Sequence, residues 1–437
     1  MRLHTVLSLL ALALPQAIGL SSVVQPGRLL EFARSINPSE LEGDDLELVE
    51  LEAGNTNYCF KVISKATNQK IMFLKHAKAM TRRGGGQLSP DRLEYEKIGL
   101  EGYKKVIPGV VPKVLGYCAT NKILALECIS DDYVPMQSLL EGGAGSDGDV
   151  SRVVGTTMGR SHARSHELLV TSEQAERYKV TFGNADAFEL WKTALFEPTI
   201  SSLAHTPPSG LEEREAAEVR EAVSQLLVIY LNRKECLIHA DLHCNNIMVA
   251  PDEGQPLDQR CKVVDFERCA LGPAGLDLGM YLAGGLYYFV GHSDPAVRRG
   301  LKAGMMAAID AYNAAFRVQA QSLIAQRLVA MNVDRSLARV LRDAVGFMAL
   351  YILFLVYTKP EINFMSLEST PGYNWGDAEG RKAFVQARLN SALLGLFRLF
   401  LRGEDFGEQE LLAGLLDVLV KDEALLSGPG HQTEYWF

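Results

Sequence analysis

The chain is poor in four things, and each shortage closes off a class of function. It has no basic excess: 44 Lys and Arg stand against 53 Asp and Glu, for a net charge of −9 and a pI near 5.6. No broad face can therefore neutralise a phosphate backbone, which excludes a general nucleic-acid binder. It has no cysteine framework. The seven cysteines, Cys59, Cys118, Cys128, Cys236, Cys244, Cys261 and Cys269, are odd in number and scattered, without metal-ligand spacing, and read as reduced, mostly buried thiols. The apolar run Val345 to Tyr357 is thirteen residues long, short for a membrane span and suited to a buried core helix. Internal repeats and low-complexity tracts are missing as well. What remains is a chain of 437 residues, 47% of them hydrophobic, long enough to bury two cores.

The densest signal is LIHADLHCNNIMV, Leu237 to Val249, followed by KVVDFE, Lys262 to Glu267. Short apolar, partly β-branched pairs flank a polar loop, predicting a strand, a loop, a second strand, a turn and a third strand ending on an acid. That layout holds Asp241, Asn246 and Asp265 at a common edge, as phosphoryl transfer requires. Asp241 would accept the proton of a substrate hydroxyl, Asn246 lies five residues on and can reach a metal, and Asp265 can bridge Mg²⁺ to nucleotide phosphates. His239, at the mouth of the loop, reads as a brace for backbone rather than a proton carrier.

The other parts of a nucleotide site precede this loop. LVELEAGNTNYCFKVI, Leu48 to Ile63, predicts two strands around a small-residue turn, where Gly54, Asn55 and Asn57 could bring backbone N–H groups to phosphates. Lys75 lies inside the apolar strand IMFLKHA, a position that is costly unless the ammonium is paired. Its expected partners are the nucleotide α- and β-phosphates and an acid on the next helix, with Glu96 preferred and Glu94 the alternative. KILALECIS, Lys122 to Ser130, reads as the last strand of a small lobe, so that Glu127 to Ile129 would form the hinge whose backbone meets adenine.

HADLHCNN resembles the H-G-D-L-H-x-x-N pattern of kinase-like phosphotransferases, with Ala240 in place of Gly, and DFE stands where protein kinases carry D-F-G. Taken with its other motifs, the chain is similar to the methylthioribose kinases over roughly residues 45 to 357. AGNTNYCF resembles that family's G-D-G-N-L-N-x-x-F turn, and QLSPDRLEYE its stretch before the helix glutamate. FGNADAFELWKTALFEPTI resembles a further family segment that has no catalytic logic of its own, and DFERCALGPAGLDLG follows the run D-P-E-F-A-F-x-G-P-M-G-F-D-I-G. The resemblance implies an α+β, protein-kinase-like fold of two lobes: a small antiparallel-sheet N-lobe over 41–128 and a larger, mainly helical C-lobe over 129–437. It implies Asp265 and Glu267, with Asn246, as metal ligands, and Asp277 as a structural acid binding the loop backbone. ATP and Mg²⁺ are the implied cofactors, and methylthioribose is the first candidate acceptor.

Three departures bear on the acceptor. Asn246 replaces the family's Ser, as in aminoglycoside and choline phosphotransferases, and Phe266 replaces its Pro; neither removes a metal ligand. More seriously, Phe354 and Leu355 align with two consecutive arginines near the family's sugar site, and losing them would strip polar groups that a sugar needs. Arg82, Arg83 or Arg342 could supply the missing charge from elsewhere. The loop TRRGGGQLSP, Thr81 to Pro90, lacks the family's tryptophan, and its three glycines suggest a mobile flap.

The expected partners are a small-molecule alcohol, no nucleic acid and no stable membrane span, with a homodimer kept open. An aminoglycoside- or choline-type kinase with another acceptor, and a catalytically silent nucleotide-binding protein, are the alternatives. Residues 298–328 predict a helix, 368–382 a loop, and 382–426 a return to helix. At the amino terminus, Met1-Arg2 and the apolar run from Thr5 to Leu20 resemble a signal leader over 1–19, followed by a linker over 20–40. An organelle reached through a bipartite signal, or the secretory pathway, is expected, with the cytoplasm as the alternative.

Overall fold

The computed structural model describes residues 26–36, 45–51, 56–82, 87–142, 148–205, 211–250, 256, 259–292, 294–327, 331–358 and 378–426. The leader expected over 1–19, Gly54 and Asn55 of the phosphate turn, Arg83 and most of the 368–382 loop lie outside them.

The first lobe opens with helix α1 (Pro26–Ile36) and strands β1 (Leu46–Leu51), β2 (Tyr58–Ser64) and β3 (Lys70–His76). Helix α2 (Arg92–Lys104) and strands β4 (Val114–Cys118) and β5 (Ile123–Leu126) complete it. The strands pair antiparallel in the order β1-β2-β3-β5-β4. Strand periodicity divides the side chains between two faces. Val62, Met72, Leu74, Ile123 and Ala125 form one core on the outer face, whereas Leu124 and Leu126 join the main core beneath with Leu93, Leu100 and Tyr103 of α2. Lys75 follows Leu74 and so turns inward, toward α2 and the second lobe. The stretch expected as a linker over 20–40 is corrected here, because α1 covers the outer face. Leu29, Phe32, Ala33 and Ile36 recur at helical spacing, and Leu29 and Ala33 are buried against the sheet. Gly116 on β4 lets the helix come close; a Cβ there would lie 2.9 Å from the Ile36 side chain.

The second lobe begins with β6 (Val134–Pro135) and helices α3 (Met136–Glu141), α4 (Gly148–Ser165), α5 (Ser172–Thr181) and α6 (Ala185–Trp191). A π-helical turn, Lys192–Phe196, carries α6 into α7 (Glu197–His205), and α8 (Glu213–Asn232) follows. The predicted loop region contributes β7 (Cys236–Ile238), β8 (Ile247–Val249), β9 (Cys261–Val263) and β10 (Ala270–Gly272). The chain then continues through α9 (Ala274–Gly291), α10 (Pro295–Arg327), α11 (Val333–Leu353), α12 (Ala378–Arg402) and α13 (Glu408–Leu426). The three predicted strands are there but do not form one sheet: β8 pairs with β9 and β6, while β7 pairs with β10. The 239–246 loop is thereby fixed between two small ribbons rather than along one edge.

Helix α9 is buried on every side, and α11 is apolar enough to be long for a core helix. Residues Val333–Tyr357 could cross a membrane by length and composition alone, but 83% of that apolar window is buried inside the protein. All seven cysteines are free, five of them buried, in keeping with reduced thiols. Burial pushes the Cys59, Cys244 and Cys261 thiols up to about 12, so they stay protonated and unreactive.

Candidate active site

The 239–246 loop is held by a carboxylate beneath it. Asp277, fully buried on α9, accepts the backbone N–H of His239 at 2.7 Å and of Ala240 at 2.8 Å. Its own orientation is set by His162, whose Nε2 lies 3.2 Å away and whose Nδ1 meets the Tyr312 hydroxyl at 3.0 Å. Asp277 therefore occupies the structural place expected of it. His239 braces backbone at both ring nitrogens: Nδ1 accepts the Asp241 N–H at 3.2 Å, and Nε2 donates to the Val264 carbonyl at 2.9 Å. Asn246 closes the loop by donating from Nδ2 to the Asp241 carbonyl at 2.9 Å, while its own carbonyl accepts the Val264 N–H at 3.0 Å. These bonds tie Asp241 and Asn246 to the residue preceding Asp265. The side-chain oxygen of Asn246 is left as an acceptor for a cation.

On the nucleotide-facing side, Lys75 Nζ sits 2.7 Å from Glu96 Oε1 and 2.6 Å from Asp265 Oδ1. Glu96, rather than Glu94, is the partner. Burial would lower the Lys75 ammonium, but the Asp265 and Glu96 carboxylates outweigh it and push it well above its ordinary value, so it stays charged. One ammonium between two carboxylates does not serve both equally. Burial pulls Asp265 up, yet Lys75 and Arg268 hold it below the usual range. Glu96, fully buried with Oε2 unpartnered, is pushed up to about 7 by burial against the pull of Lys75. Asp265 is left-handed at φ 69°, which turns its carboxylate toward Lys75.

Glu267 is more enclosed than its neighbour. Its Oε2 accepts from Asn57 Nδ2 at 2.7 Å and lies 3.4 Å from Arg92 Nε. Asn57 thus spends its side chain on Glu267 and Arg92 instead of on the phosphate side. Among the described residues, no group of three or more His, Cys, Asp or Glu converges as a metal cage. A hard divalent cation such as Mg²⁺ needs only one or two carboxylates from the protein. At the hinge, Glu127 N–H is committed to the Lys113 carbonyl at 2.9 Å, and its carboxylate lies 3.4 Å from Lys262 Nζ. The stretch 127–130, with Ile129, follows β5 without regular secondary structure.

The opposite wall belongs to residues that motif reading passed over. Arg268 lies directly after the acidic turn, with its guanidinium 4.6 Å above the Trp191 ring and its Nε 3.5 Å from Asp241 Oδ2. Trp191 donates its indole N–H to the Ala240 carbonyl at 2.7 Å, and Asn184 donates to the carbonyls of Glu267 and Cys269 at 3.1 and 3.3 Å. Both come from FGNADAFELWKTALFEPTI, the segment read as having no catalytic logic; it buttresses the loop and the acidic turn. Tyr351 on α11 stacks on His243, with ring centroids 6.3 Å apart and 11° between planes. Burial holds His243 below its ordinary value.

Phe354 and Leu355 are 3% and 1% exposed, packed in the core. The substitutes considered for the missing arginines lie elsewhere. Arg82 pairs with Glu50 and the Leu51 carbonyl, and Arg342 pairs with Asp343 beside Phe400. Arg268 is the guanidinium on this side. It could have been found as a basic residue immediately after the second acid, in a run where the resembled pattern carries Phe.

Residues 103–313 match the model of the phosphotransferase enzyme family. Methylthioribose kinase of Bacillus mycoides is 28% identical over 251 residues, covering 54% of this chain and 59% of the relative. That of Bacillus velezensis is 27% identical over 244 residues, with the same shares. The chain thus spans less than two thirds of the length of these relatives. Among solved structures, a choline/ethanolamine kinase family protein from Mesorhizobium loti is 16% identical, with a TM-score of 0.37 over 85% of this chain and 99% of that one. The GDP and kanamycin complex of APH(2")-IIIa is 12% identical, with a TM-score of 0.38 over 91% and 98%. Over residues 103–313 the chain is similar to the phosphotransferase enzyme family, and over about half its length to the methylthioribose kinases.

Proposed function

We propose that the protein is an ATP-dependent kinase that phosphorylates a hydroxyl of a small molecule, with methylthioribose as the first candidate. One observation carries the reading. Asp241, on a loop pinned by Asp277, His239 and Asn246, lies across from a Lys75–Glu96–Asp265 cluster whose only cation is shared between two carboxylates. The donor set fits Mg²⁺: two carboxylates, Asp265 and Glu267, and the amide oxygen of Asn246 are all hard oxygen ligands. The cation, when bound, would be held by these oxygens and would offset the charge of the phosphates. Asp241 takes the proton from the acceptor hydroxyl as its oxygen attacks the terminal phosphorus and the bridging oxygen leaves. Lys75, kept charged by its two carboxylates, would shift onto phosphate oxygens as Asp265 turns to the cation. The backbone of Glu127 and Ile129 would meet adenine.

A second reading, a kinase for another alcohol, is favoured by Phe354 and Leu355, whose burial leaves the place of the two arginines apolar. The full chain is to be assayed for Mg²⁺-dependent ATP consumption with methylthioribose, other pentoses, amino alcohols and aminoglycosides. A kcat/KM for methylthioribose at or above about 10⁴ M⁻¹s⁻¹, higher than for any other alcohol, establishes the first reading. Preference for another alcohol establishes the second. Nucleotide binding without turnover on any acceptor would overturn both in favour of a silent binding protein.

A further inference from the structure

The guanidinium of Arg268 is poorly served by its own protein. Its plane is covered by Trp191, its Nε is buried with no hydrogen-bond partner, and its one ion pair among the described residues, to Asp241, is 3.5 Å long and made without a hydrogen bond. The side chain is 21% exposed, and its one buried unspent donor is costly unless something completes it. Of the nearby acids, Glu267 is already held by Asn57 and Arg92, and Asp265 by Lys75. A groove of about 400 Å³ between Ala79 with Gln87 to Pro90 and the α6 segment, where it is lined by Asp186 and Glu189, leads toward this position. A crevice of about 20 Å³, room for little more than one water, shares Leu88, Ser89, Asp186 and Leu190 with that groove and reaches Arg268 itself. The guanidinium stands beside Asp241, the carboxylate that would deprotonate a hydroxyl, with Nε 3.5 Å from its Oδ2.

We propose that Arg268 is a specificity-determining residue and that the acceptor carries an anionic group, carboxylate or phosphate, that pairs with it. The inference rests on the kinase reading above. A planar guanidinium with fixed donors suits a two-oxygen anion better than a neutral hydroxyl. The position also fits, since Arg268 stands beside Asp241 and over the Trp191 ring.

Two matched series of probes test this with the full chain: glycerol, glycerate and glycerol 3-phosphate, and ribose with ribonate. Turnover is measured with ATP and Mg²⁺, and binding by calorimetry with a non-hydrolysable ATP analogue. The wild type should favour at least one anion over its neutral counterpart by about 10²-fold in kcat/KM. The carboxylate and phosphate arms identify which anion. Arg268→Gln should abolish that preference, and Arg268→Lys, which keeps the charge and loses the fork, should retain part of it; thermal melts confirm that both variants fold. No preference for an anion in either series, a preference that survives Arg268→Gln, or an equal loss on neutral and anionic probes would overturn the proposal. Binding separates the two readings. Anion binding that depends on Arg268 without any phosphorylation would sink the kinase reading and leave this one standing, whereas turnover of neutral alcohols alone would do the reverse.

Discussion

Lys75 and Arg268 face each other across the site and are held in opposite ways. Lys75 makes two direct contacts, at 2.7 and 2.6 Å, to carboxylates from different elements, and its charge is fully answered inside the protein. Arg268 has one longer contact, an aromatic ring beneath it and a buried nitrogen with no partner. A charge that is already answered keeps its position before any ligand arrives, which suits a clamp for a nucleotide whose chemistry never changes. A charge left incomplete waits for a ligand to finish it, which suits the side that must choose. On the proposed reading, the difference separates general phosphate handling from acceptor choice within one cleft.

The strongest way to break this comparison is to remove one acid from each side. Asp265→Ala should abolish Mg²⁺-dependent nucleotide binding, measured by calorimetry with and without the metal, because the phosphates would lack their bridging cation. Asp241→Asn should preserve nucleotide affinity while lowering turnover by about 10²-fold or more, since the loop keeps its shape and loses its proton acceptor. If both variants lost nucleotide binding together, the site would not divide along this line.

A smaller effect is expected where the acceptor wall supports the loop. Trp191→Phe keeps a ring under Arg268 but leaves the Ala240 carbonyl without its indole donor. An unsatisfied buried carbonyl costs about 1–3 kcal/mol, and kcat should fall about tenfold through misplacement of Asp241. Nucleotide affinity should hold. Loss of nucleotide affinity would mean that Trp191 serves the whole cleft.

Much of the nucleotide side was legible in the sequence because it is built from features that announce themselves. A lysine in an apolar strand demands a partner, and Glu96 lies on the adjacent helix. An acid after a short strand and an H-x-D loop carry their chemistry in their spacing. The two-lobed division was implied by the family resemblance, and the buried character of Val345 to Tyr357 followed from the shortness of the run. The acceptor wall was not legible, because Trp191, Arg268 and Tyr351 come from α6, the acidic turn and α11 and meet only through tertiary packing. Trp191 and Asn184 do their work through backbone carbonyls, which no side-chain pattern records. Helix α1 was missed for another reason. Its apolar residues follow a leader-like stretch, and its partner surface, the outer face of the sheet, is assembled only from residues 46 onward. The pairing of β7 with β10 rather than β8 was likewise hidden, since strands of three residues say nothing about their neighbours.

The unequal sharing of Lys75 predicts a pH dependence that sharpens the picture of the closed side. Glu96 has its carboxyl raised to about 7 by burial. A raised acid is neutral in the folded state where it would be ionised in the unfolded one, so its contribution is present below the ordinary glutamate range and is lost as pH rises through about 7. The melting temperature of the wild type, relative to Glu96→Gln, should therefore decline between about pH 5 and pH 8. A flat difference would mean that Glu96 is ionised throughout and that Lys75 answers both carboxylates alike.

The smallest expected effect lies at the hinge between the two sides. Ala240 adopts φ 62°, the left-handed region, where the resembled pattern carries Gly. Its N–H is held by Asp277 and its carbonyl by Trp191, so the backbone cannot relax to a commoner conformation without giving up both bonds. The left-handed conformation costs a residue with a Cβ about 1–2 kcal/mol. Glycine avoids that cost but adds about 0.5–1 kcal/mol of backbone entropy to the unfolded chain. Ala240→Gly should therefore stabilise the fold by up to about 1 kcal/mol, read from the denaturation midpoint, with turnover unchanged. A destabilised variant would show instead that the buried methyl of Ala240 packs well enough to outweigh the strain, and the alanine would then be a packing choice at the point where the acceptor wall grips the loop.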